Sequence, residues 1–119
     1  MSHILIAEDE YRIACFIEKG LRKNGFCTAI APDGKLALQM ALSGDFDLLL
    51  LDLGLPEKDG WTVLEELRSQ GEQIPVIIVS ARAEIEDKQG VNDYLKKPFR
   101  FSNLLDRIHI SLQKSESIL

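Results

Sequence analysis

Three carboxylates stand where apolar segments end, and carboxylates at such positions can bind a metal or act as nucleophiles. Glu8 and Asp9 follow the run His3–Ala7, and Asp52 follows the four leucines Leu48–Leu51. If these runs are neighbouring strands, the three charges repel one another and ionise at low cost only around a cation. Their hard oxygen ligands suit Mg²⁺, which accepts one or two carboxylates together with a phosphate oxygen.

A hydroxyl and an ammonium group stand at the ends of later apolar runs. Ser80 ends the run Val76–Ser80, and Lys97 follows the run Asp93–Lys96. Both side chains donate hydrogen bonds to anions. Together with the acids they indicate a phosphoryl-transfer site, in which a carboxylate can itself be the nucleophile and form an aspartyl phosphate. A metal and the lysine would neutralise the charge on the transferred oxygens.

Each of these residues also has an ordinary structural explanation. Glu8 and Asp9 could be acids of a first helical turn, which the helix dipole favours. Ser80 could be an ordinary strand end, and Lys97 an ordinary surface lysine. Asp52 is harder to explain in this way, because a charge directly after four buried leucines needs a partner. The joint placement of all five residues at strand ends favours the site.

The elements that position these residues follow from the hydrophobic pattern. Apolar runs of about five residues alternate with longer stretches whose apolar residues recur at three- and four-residue steps. Asn24-Gly25 and Gly71 are expected to end the first and third helices. The predicted strands, each followed by a helix, are His3–Ala7, Cys27–Ala31, Leu48–Asp52, Val76–Ser80 and Asp93–Lys96.

This alternation predicts an α/β fold in which a parallel sheet is covered by helices on both faces. The expected architecture is a doubly wound (βα)5 three-layer sandwich of the flavodoxin-like type, with a five-stranded sheet in the order 2-1-3-4-5. Strands one and three are neighbours in that order. Glu8, Asp9 and Asp52 are therefore expected to converge in one crevice at the carboxyl ends of the strands.

Length and composition bound the classes of function. The chain has 119 residues, with 14 Lys and Arg against 19 Asp and Glu, and its net charge of −5 argues against a bare nucleic-acid binder. No apolar run approaches the ~20 residues of a transmembrane helix, and no signal peptide is recognised, so we expect a cytoplasmic domain without a membrane partner. Cys15 and Cys27 form no metal-ligand pattern and are expected to be reduced and buried. His3 and His109 are expected to be structural.

Taken in order, these residues resemble the receiver domain of two-component response regulators over essentially the whole chain. The matching motifs are Glu8-Asp9, Asp52-Leu53-Gly54-Leu55-Pro56 with Asp59-Gly60, Ser80-Ala81-Arg82, Asp93-Tyr94-Leu95 and Lys97-Pro98-Phe99. The subfamily that they look most like carries a winged-helix DNA-binding effector. Residues 1–114 are accordingly expected to form the receiver domain, and 115–119 a C-terminal tail or the start of a linker.

The resemblance implies a role for each matching residue. Asp52 is the phosphoacceptor, which takes its group from a phosphohistidine of a sensor histidine kinase or a phosphotransfer protein. Asp9, Asp52 and the backbone carbonyl of Gly54 hold Mg²⁺ directly, Glu8 reaches it through water, and Mn²⁺ can substitute. Lys97 binds a phosphoryl oxygen, and the Lys97-Pro98 peptide is expected to be cis.

The resemblance also implies a two-state switch. Ser80 swings toward the phosphoryl group, and Tyr94 rotates inward into the space that Ser80 leaves. Small Ala81 leaves the acceptor accessible to the donor, while Gly54 and Arg82 tune the lifetime of the phosphoryl group. Phosphorylation is expected to change the surface formed by helix 4, strand 5 and helix 5. This surface controls an effector or the formation of a homodimer.

Charged residues on that surface are expected to form cross-subunit ion pairs: Glu86, Lys88, Asp93, Asp106 and Arg107. The sequence departs from the family pattern near this surface. Lys97 follows Ser80 by 17 positions, which is fewer than is usual in the family, and the missing positions fall between Lys88 and Gly90. Either the fourth helix, Ala83–Gln89, is truly short, or a mobile segment is absent from this sequence. The acidic site is unaffected in both cases.

Three other classes share parts of this pattern. A haloacid-dehalogenase-like phosphatase uses an aspartate nucleophile and Mg²⁺, but it needs a second acid where this chain has Gly54, and it needs a cap domain. A pseudo-receiver scaffold usually loses an acid, the acceptor or the lysine. A flavodoxin-like flavin protein needs a Ser/Thr/Gly-rich phosphate loop, which does not follow Ala7.

The resemblance therefore implies a signalling domain and not a metabolic enzyme, since it accelerates only its own phosphorylation and dephosphorylation. DNA is reached only through an effector that these residues do not contain. Specificity for the kinase is expected on helix one, around Ile13, Cys15 and Phe16. Trp61 is expected to pack at the start of helix three.

Overall fold

Strands and helices alternate along the chain in the computed structural model, which describes residues 1–81 and 90–116, with side chains as far as Lys114. The strands are β1 His3–Ala7, β2 Cys27–Ala31, β3 Leu48–Leu51, β4 Val76–Ser80 and β5 Asp93–Lys96. The helices within the described residues are α1 Tyr11–Lys23, α2 Gly34–Ala41, α3 Gly60–Ser69 and α4 Phe101–Glu116. With this numbering, α4 is the C-terminal helix.

The described strands form a parallel five-stranded sheet in the order β2-β1-β3-β4-β5. Across β1 and β3, Ala7 lies opposite Leu51, and across β4 and β5, Ser80 lies opposite Lys96. The residues that follow β1, β3 and β5 therefore meet at one edge of the sheet. The predicted fold class and strand order are confirmed.

Both faces of the sheet are buried, because successive side chains of a strand point to opposite faces. Leu49 and Leu51 pack with Val63 on the face that α2 and α3 cover. Leu48 and Leu50 pack on the other face, where α1 and α4 lie. An unbroken run of leucine thus fills two layers of core, as is typical of parallel strands with helices on both sides.

The close approach of α3 to the end of β3 depends on Gly60. Its N–H donates to the carbonyl of Leu53 at 3.0 Å, and a Cβ at this position would overlap the carbonyl oxygen of Asp52 and the Cα of Leu53. The carboxylate of Asp59 caps the helix by accepting from the N–H of Thr62 at 3.0 Å. The start of α3 is therefore packed directly on the backbone of Asp52.

The chain enters β5 through an anchor on α3. The Arg68 guanidinium donates to the carbonyls of Glu72 at 2.7 Å, Ile74 at 2.8 Å and Gly90 at 2.7 Å. Burial lowers the pKa of Arg68. The Asn92 N–H then donates to the carbonyl of Val76 at 2.9 Å. These bonds set the register in which β5 reaches Lys97.

One strand boundary differs from that expected. β3 ends at Leu51 and not at Asp52, whose N–H still donates to the carbonyl of Ala7 at 3.0 Å before the chain turns away from the sheet. α4 continues to Glu116, and the domain boundary at residue 114 stays a prediction. The predicted helix at 83–89 lies outside the described residues.

The expected helix ends are confirmed. α1 stops at Lys23 and α3 at Ser69, and the glycines that follow, Gly25 and Gly71, have φ of 87° and 81°. Glycine adopts this left-handed conformation without steric cost. None of the described helices combines the length and the apolar character that crossing a membrane requires.

Replacement of Gly60 by alanine is expected to destabilise the protein by about 1–3 kcal/mol, because the new methyl group meets backbone atoms that cannot move aside. Gly54→Ala is the matched control, since a Cβ there meets no atom within 4 Å. We expect the control to change the free energy of unfolding by less than about 0.5 kcal/mol. Urea denaturation measures both, and equal stabilities would contradict the packing described for Gly60.

Candidate functional site

The carboxylates that follow β1 and β3 lie side by side. Glu8, Asp9 and Asp52 each offer an oxygen, and these oxygens all lie within 4.8 Å of one another. The backbone imposes this proximity, because the Glu8 N–H donates to the carbonyl of Ala31 at 3.1 Å and the Asp52 N–H to that of Ala7 at 3.0 Å. Glu8 is buried, Asp52 is half-buried and Asp9 is exposed.

A lysine from the end of β5 reaches the two inner carboxylates. The Lys97 ammonium donates to the Glu8 carboxylate and lies 3.8 Å from Oδ1 of Asp52. The Lys97 backbone N–H donates to the carbonyl of Ser80 at 2.9 Å, and the Lys97-Pro98 peptide is cis, as expected. The side chains of Lys97 and Glu8 are 13% and 3% exposed, so water screens their attraction only weakly.

Burial dominates the electrostatics of Glu8. Removal from water raises the pKa of this carboxyl group, and the negative charge of Asp52 acts in the same direction. Hydrogen bonds from Lys97 and from the Glu10 N–H, the latter at 3.2 Å, partly offset the increase. Loss of the Lys97 cation would leave a buried charge without a counter-ion, which is strongly destabilising.

Three other predicted site residues lie at or after the carboxyl ends of β3 and β4, at the same edge of the sheet as the carboxylates. Ser80 ends β4, which pairs with β3, and it is only 5% exposed. Ala81, the next residue, is exposed, as is Gly54 in the turn after β3. Arg82 lies outside the described residues. The crevice thus has acids on the β1 and β3 side, with a hydroxyl and an ammonium group on the β4 and β5 side.

Tyr94 lies on β5 and faces α3. Its ring centroid is 6.4 Å from that of Trp61, at an interplanar angle of 61°. Both rings are half-buried and pack against the core between the sheet and helices α2 and α3. The contact was not predicted, because the two residues are far apart in the sequence and no periodicity relates them.

Two of the charged residues expected on a dimer face, Asp93 and Arg107, pair with each other within the chain. The Arg107 guanidinium lies 3.2 Å and 3.4 Å from the two carboxylate oxygens of Asp93, and so joins α4 to β5. Asp106 is exposed on α4. Glu86 and Lys88 lie outside the described residues. A cross-subunit pair that uses Asp93 or Arg107 would have to replace this intramolecular one.

An apolar groove of about 330 Å³ opens beside the site, lined by Ile13, Phe16, Ala81, Lys97, Pro98 and Phe99. Phe16 is 54% exposed, which is unusual for a large apolar side chain. Two of the three α1 residues expected to contact a kinase therefore line a surface that adjoins Lys97.

The cysteines and histidines have local contacts. Cys15 and Cys27 are free, as expected, but both are half-buried and not buried. The neighbouring Cys15 raises the pKa of the exposed Tyr11 hydroxyl group. Cys27 lies on β2, an edge strand whose residues are mostly half-buried. The exposed His3 donates its backbone N–H to Asp47 at 2.7 Å. The His109 ring packs on Phe26, which fits a structural role.

The ion pair between Glu8 and Lys97 was not predicted. Two strands, β3 and β4, separate β1 from β5, so neighbouring positions in the sheet give no signal for it. Only the length of the lysine side chain and the burial of Glu8 bring the two groups together. A buried carboxylate at a strand end does, however, require some cation, and Lys97 was a candidate.

The donor set fits a hard divalent cation. Carboxylate oxygens are the ligands that Mg²⁺ prefers, and it binds through one or two of them while keeping several waters. Asp9 is exposed and Asp52 half-buried, so an ion can reach both from solvent. A bound cation would also relieve the repulsion within the cluster.

Comparisons with known proteins find a matching family model and similar sequences. The family model described as "Response regulator receiver domain" matches residues 4–109. The chain is 35% identical over 121 residues to "Transcriptional regulatory protein CusR" of Escherichia coli K12, an alignment that covers 98% of this chain and 53% of CusR. The chain spans about half the length of the curated relatives it matches.

Solved structures of receiver domains superpose on this chain. The receiver domain of the Francisella response regulator 1452 superposes with a TM-score of 0.90 at 36% identity, over 97% of this chain and 99% of that one. The receiver domain of a sensor histidine kinase from Pseudomonas aeruginosa PAO1 has a TM-score of 0.85 at 31% identity, over 94% and 98%. That structure is described as having a magnesium ion coordinated in its active-site cleft.

Magnesium is expected to stabilise the folded protein through this cluster. At ten times its dissociation constant it adds about 1.4 kcal/mol, which raises the Tm of a domain of this size by about 3–6 °C. Asp9→Asn removes a charged ligand and should abolish most of the shift. Asp45→Asn, an exposed acid of the α2–β3 loop, should retain it. Equal shifts in both variants would show that Mg²⁺ binds elsewhere.

Proposed function

The chain belongs to the response regulator receiver domain family, and we propose that it accepts a phosphoryl group on Asp52 from a phosphohistidine of a sensor histidine kinase or phosphotransfer protein. The environment of the Asp52 carboxylate carries the proposal. It is 12% exposed, and the Lys97 ammonium lies 3.8 Å from Oδ1. A donor can thus reach the carboxylate, while a cation faces the place where negative charge arrives.

The transfer forms one bond and breaks one. An oxygen of Asp52 bonds to phosphorus while the bond from phosphorus to the donor imidazole nitrogen breaks, and the imidazole keeps the electron pair and takes up a proton. Hydrolysis later releases phosphate and restores the carboxylate. Because the only group modified is its own, the domain is a switch and not an enzyme with a separate substrate.

The metal we propose is Mg²⁺, held by Asp9, Asp52 and the backbone carbonyl of Gly54, with Glu8 reaching it through water. When bound, it neutralises charge on the transferred phosphoryl oxygens. The oxygen-rich cluster supports this assignment, as does the magnesium ion in the cleft of the Pseudomonas receiver domain. Mn²⁺ prefers the same ligands and is proposed as a substitute.

Lys97 is proposed to exchange partners during the reaction. Its ammonium pairs with Glu8 before phosphorylation and moves to a phosphoryl oxygen on Asp52 afterwards. Its 3.8 Å distance from Oδ1 of Asp52 supports the exchange, because the required movement is small. The hydroxyl of Ser80 donates to a second phosphoryl oxygen, which gives Tyr94 the space to rotate inward.

The output of the switch is a change of surface. We assign it to β5, the C-terminal helix α4 and the crossover before β5, where opening of the Asp93–Arg107 pair would free charges for a homodimer. Ala81 leaves the acceptor accessible, and Gly54 and Arg82 tune the lifetime of the phosphoryl group.

The context of the domain follows from its relatives. They include transcriptional regulators of about twice its length, so we propose that residues 1–114 act as the receiver and that 115–119 lead toward a DNA-binding effector. A kinase is proposed to dock on α1 at Ile13, Cys15 and Phe16, beside the apolar groove. Both partners imply that the domain works in the cytoplasm.

Phosphorylation of Asp52 is tested with Mg²⁺ and acetyl phosphate, read by intact mass. We expect one added phosphoryl group on the wild type and on Asp45→Asn, and none on Asp52→Asn, because the amide is a much weaker nucleophile than the carboxylate. Gel filtration of the same samples tests dimerisation, with a shift to larger size expected only in the phosphorylated proteins.

The alternatives give different results. A folded wild type without an adduct would contradict the proposal and favour an unphosphorylated scaffold. An adduct that persists in Asp52→Asn would identify a different acceptor. Continuous hydrolysis of an added phosphomonoester would indicate a phosphatase, although Gly54 has no side chain to serve as the second acid of that reaction.

A further inference from the structure

The one tryptophan of the chain, Trp61, contacts the residue that is proposed to rotate in the switch. Its ring lies 6.4 Å from that of Tyr94 in an edge-to-face arrangement, in which the edge of one aromatic ring is attracted to the face of the other. Both rings pack on the same core. Tyr94 therefore cannot change its orientation without changing the surroundings of Trp61.

Trp61 is held by the segment of backbone that also carries Asp52. It follows Gly60, whose N–H donates to the carbonyl of Leu53 at 3.0 Å and whose lack of a side chain allows contact with the Asp52 carbonyl. The Asp59 cap fixes the same turn of α3. The backbone of Trp61 is thus held close to that of Asp52.

Strand pairing holds the backbone of Tyr94 but does not determine its side-chain rotamer. Its backbone lies opposite Ile78 in the pairing of β4 and β5, and β5 is an edge strand of the sheet. A change of side-chain rotamer breaks no hydrogen bond of this pairing. The Trp61 ring is one of the contacts that favour a particular orientation of Tyr94.

We propose that Trp61 is a positioning residue of the switch, whose ring holds Tyr94 in the orientation seen in this structure and so opposes the rotation that accompanies phosphorylation of Asp52. This inference rests on the proposed function. An aromatic pair changes the ratio of two orientations by about two- to tenfold. By linkage, the same factor enters the affinity of the domain for a phosphoryl mimic.

Tryptophan fluorescence tests the coupling between Trp61 and Tyr94, because Trp61 is the only tryptophan in the sequence. After saturation with Mg²⁺, acetyl phosphate is added to the wild type, Tyr94→Phe and Tyr94→Ala, and intact mass is measured on the same samples. We expect phosphorylation to change the emission of the wild type and of Tyr94→Phe, which keeps the ring. Tyr94→Ala should take up the phosphoryl group without the change.

The outcomes separate the inference from the function on which it rests. An adduct with unchanged emission in the wild type would overturn the role of Trp61 and leave the phosphoacceptor intact. The same change in Tyr94→Ala as in the wild type would also overturn it, because the signal would then arise without the tyrosine ring. No adduct on any folded variant would contradict the proposed function itself.

Affinity for beryllofluoride, measured by calorimetry with Mg²⁺ present, tests the direction of the effect. Trp61→Leu removes the aromatic contact and should bind about two- to tenfold more tightly than the wild type. Trp61→Phe keeps an aromatic ring and should bind with nearly the wild-type affinity. Thermal unfolding establishes that each variant is folded. An unchanged or weaker affinity in folded Trp61→Leu would overturn the proposal.

Discussion

The ion pair between Glu8 and Lys97 is the interaction on which the site depends. Glu8 is almost fully buried beside two other carboxylates, and burial raises its pKa. A negative charge in such a place is tolerated only opposite a cation. Lys97, which follows the edge strand β5, supplies this cation. The same ammonium lies near Asp52, so the group that stabilises the acids in this structure is also the one that would meet a phosphoryl group on Asp52 in the proposed reaction. The proposal thus links stability and reactivity through one side chain.

The sheet makes this arrangement possible. Because β1 and β3 are parallel neighbours, the residues that follow them meet without any contribution from a long loop. Gly60 then brings α3 onto the Asp52 backbone, and Arg68 ties the entrance of β5 to the end of the same helix. Asp52, Trp61 and the start of β5 are thus connected through α3, so a change at Asp52 and a change at Tyr94 would act on neighbouring parts of one element. This connection favours a switch whose two states differ locally and not by a rearrangement of the fold.

Much of this could be predicted from the sequence, since it follows from strand ends. The apolar runs predict the five strands, and the commonest doubly wound order for five strands predicts that Glu8, Asp9 and Asp52 converge. Contacts that depend on the reach of a side chain could not be predicted. Lys97 crosses two strands to meet Glu8, Trp61 meets Tyr94 from a different element, and Arg107 pairs with Asp93 within the chain. Cys27 was expected to be buried, but it is half-buried on β2, which lies at the edge of the sheet, as the predicted strand order already implied.

A crystal structure with Mg²⁺ and beryllofluoride tests the central claim most directly, which is that Lys97 changes partners between Glu8 and the group on Asp52. We expect beryllium bonded to a carboxylate oxygen of Asp52, the metal between Asp9 and Asp52, and the Lys97 ammonium within hydrogen-bonding distance of a fluorine atom and no longer bonded to Glu8. A structure in which beryllofluoride occupies the site while Lys97 still bonds Glu8 would contradict the exchange. Beryllofluoride bound away from Asp52 would contradict the assignment of the acceptor.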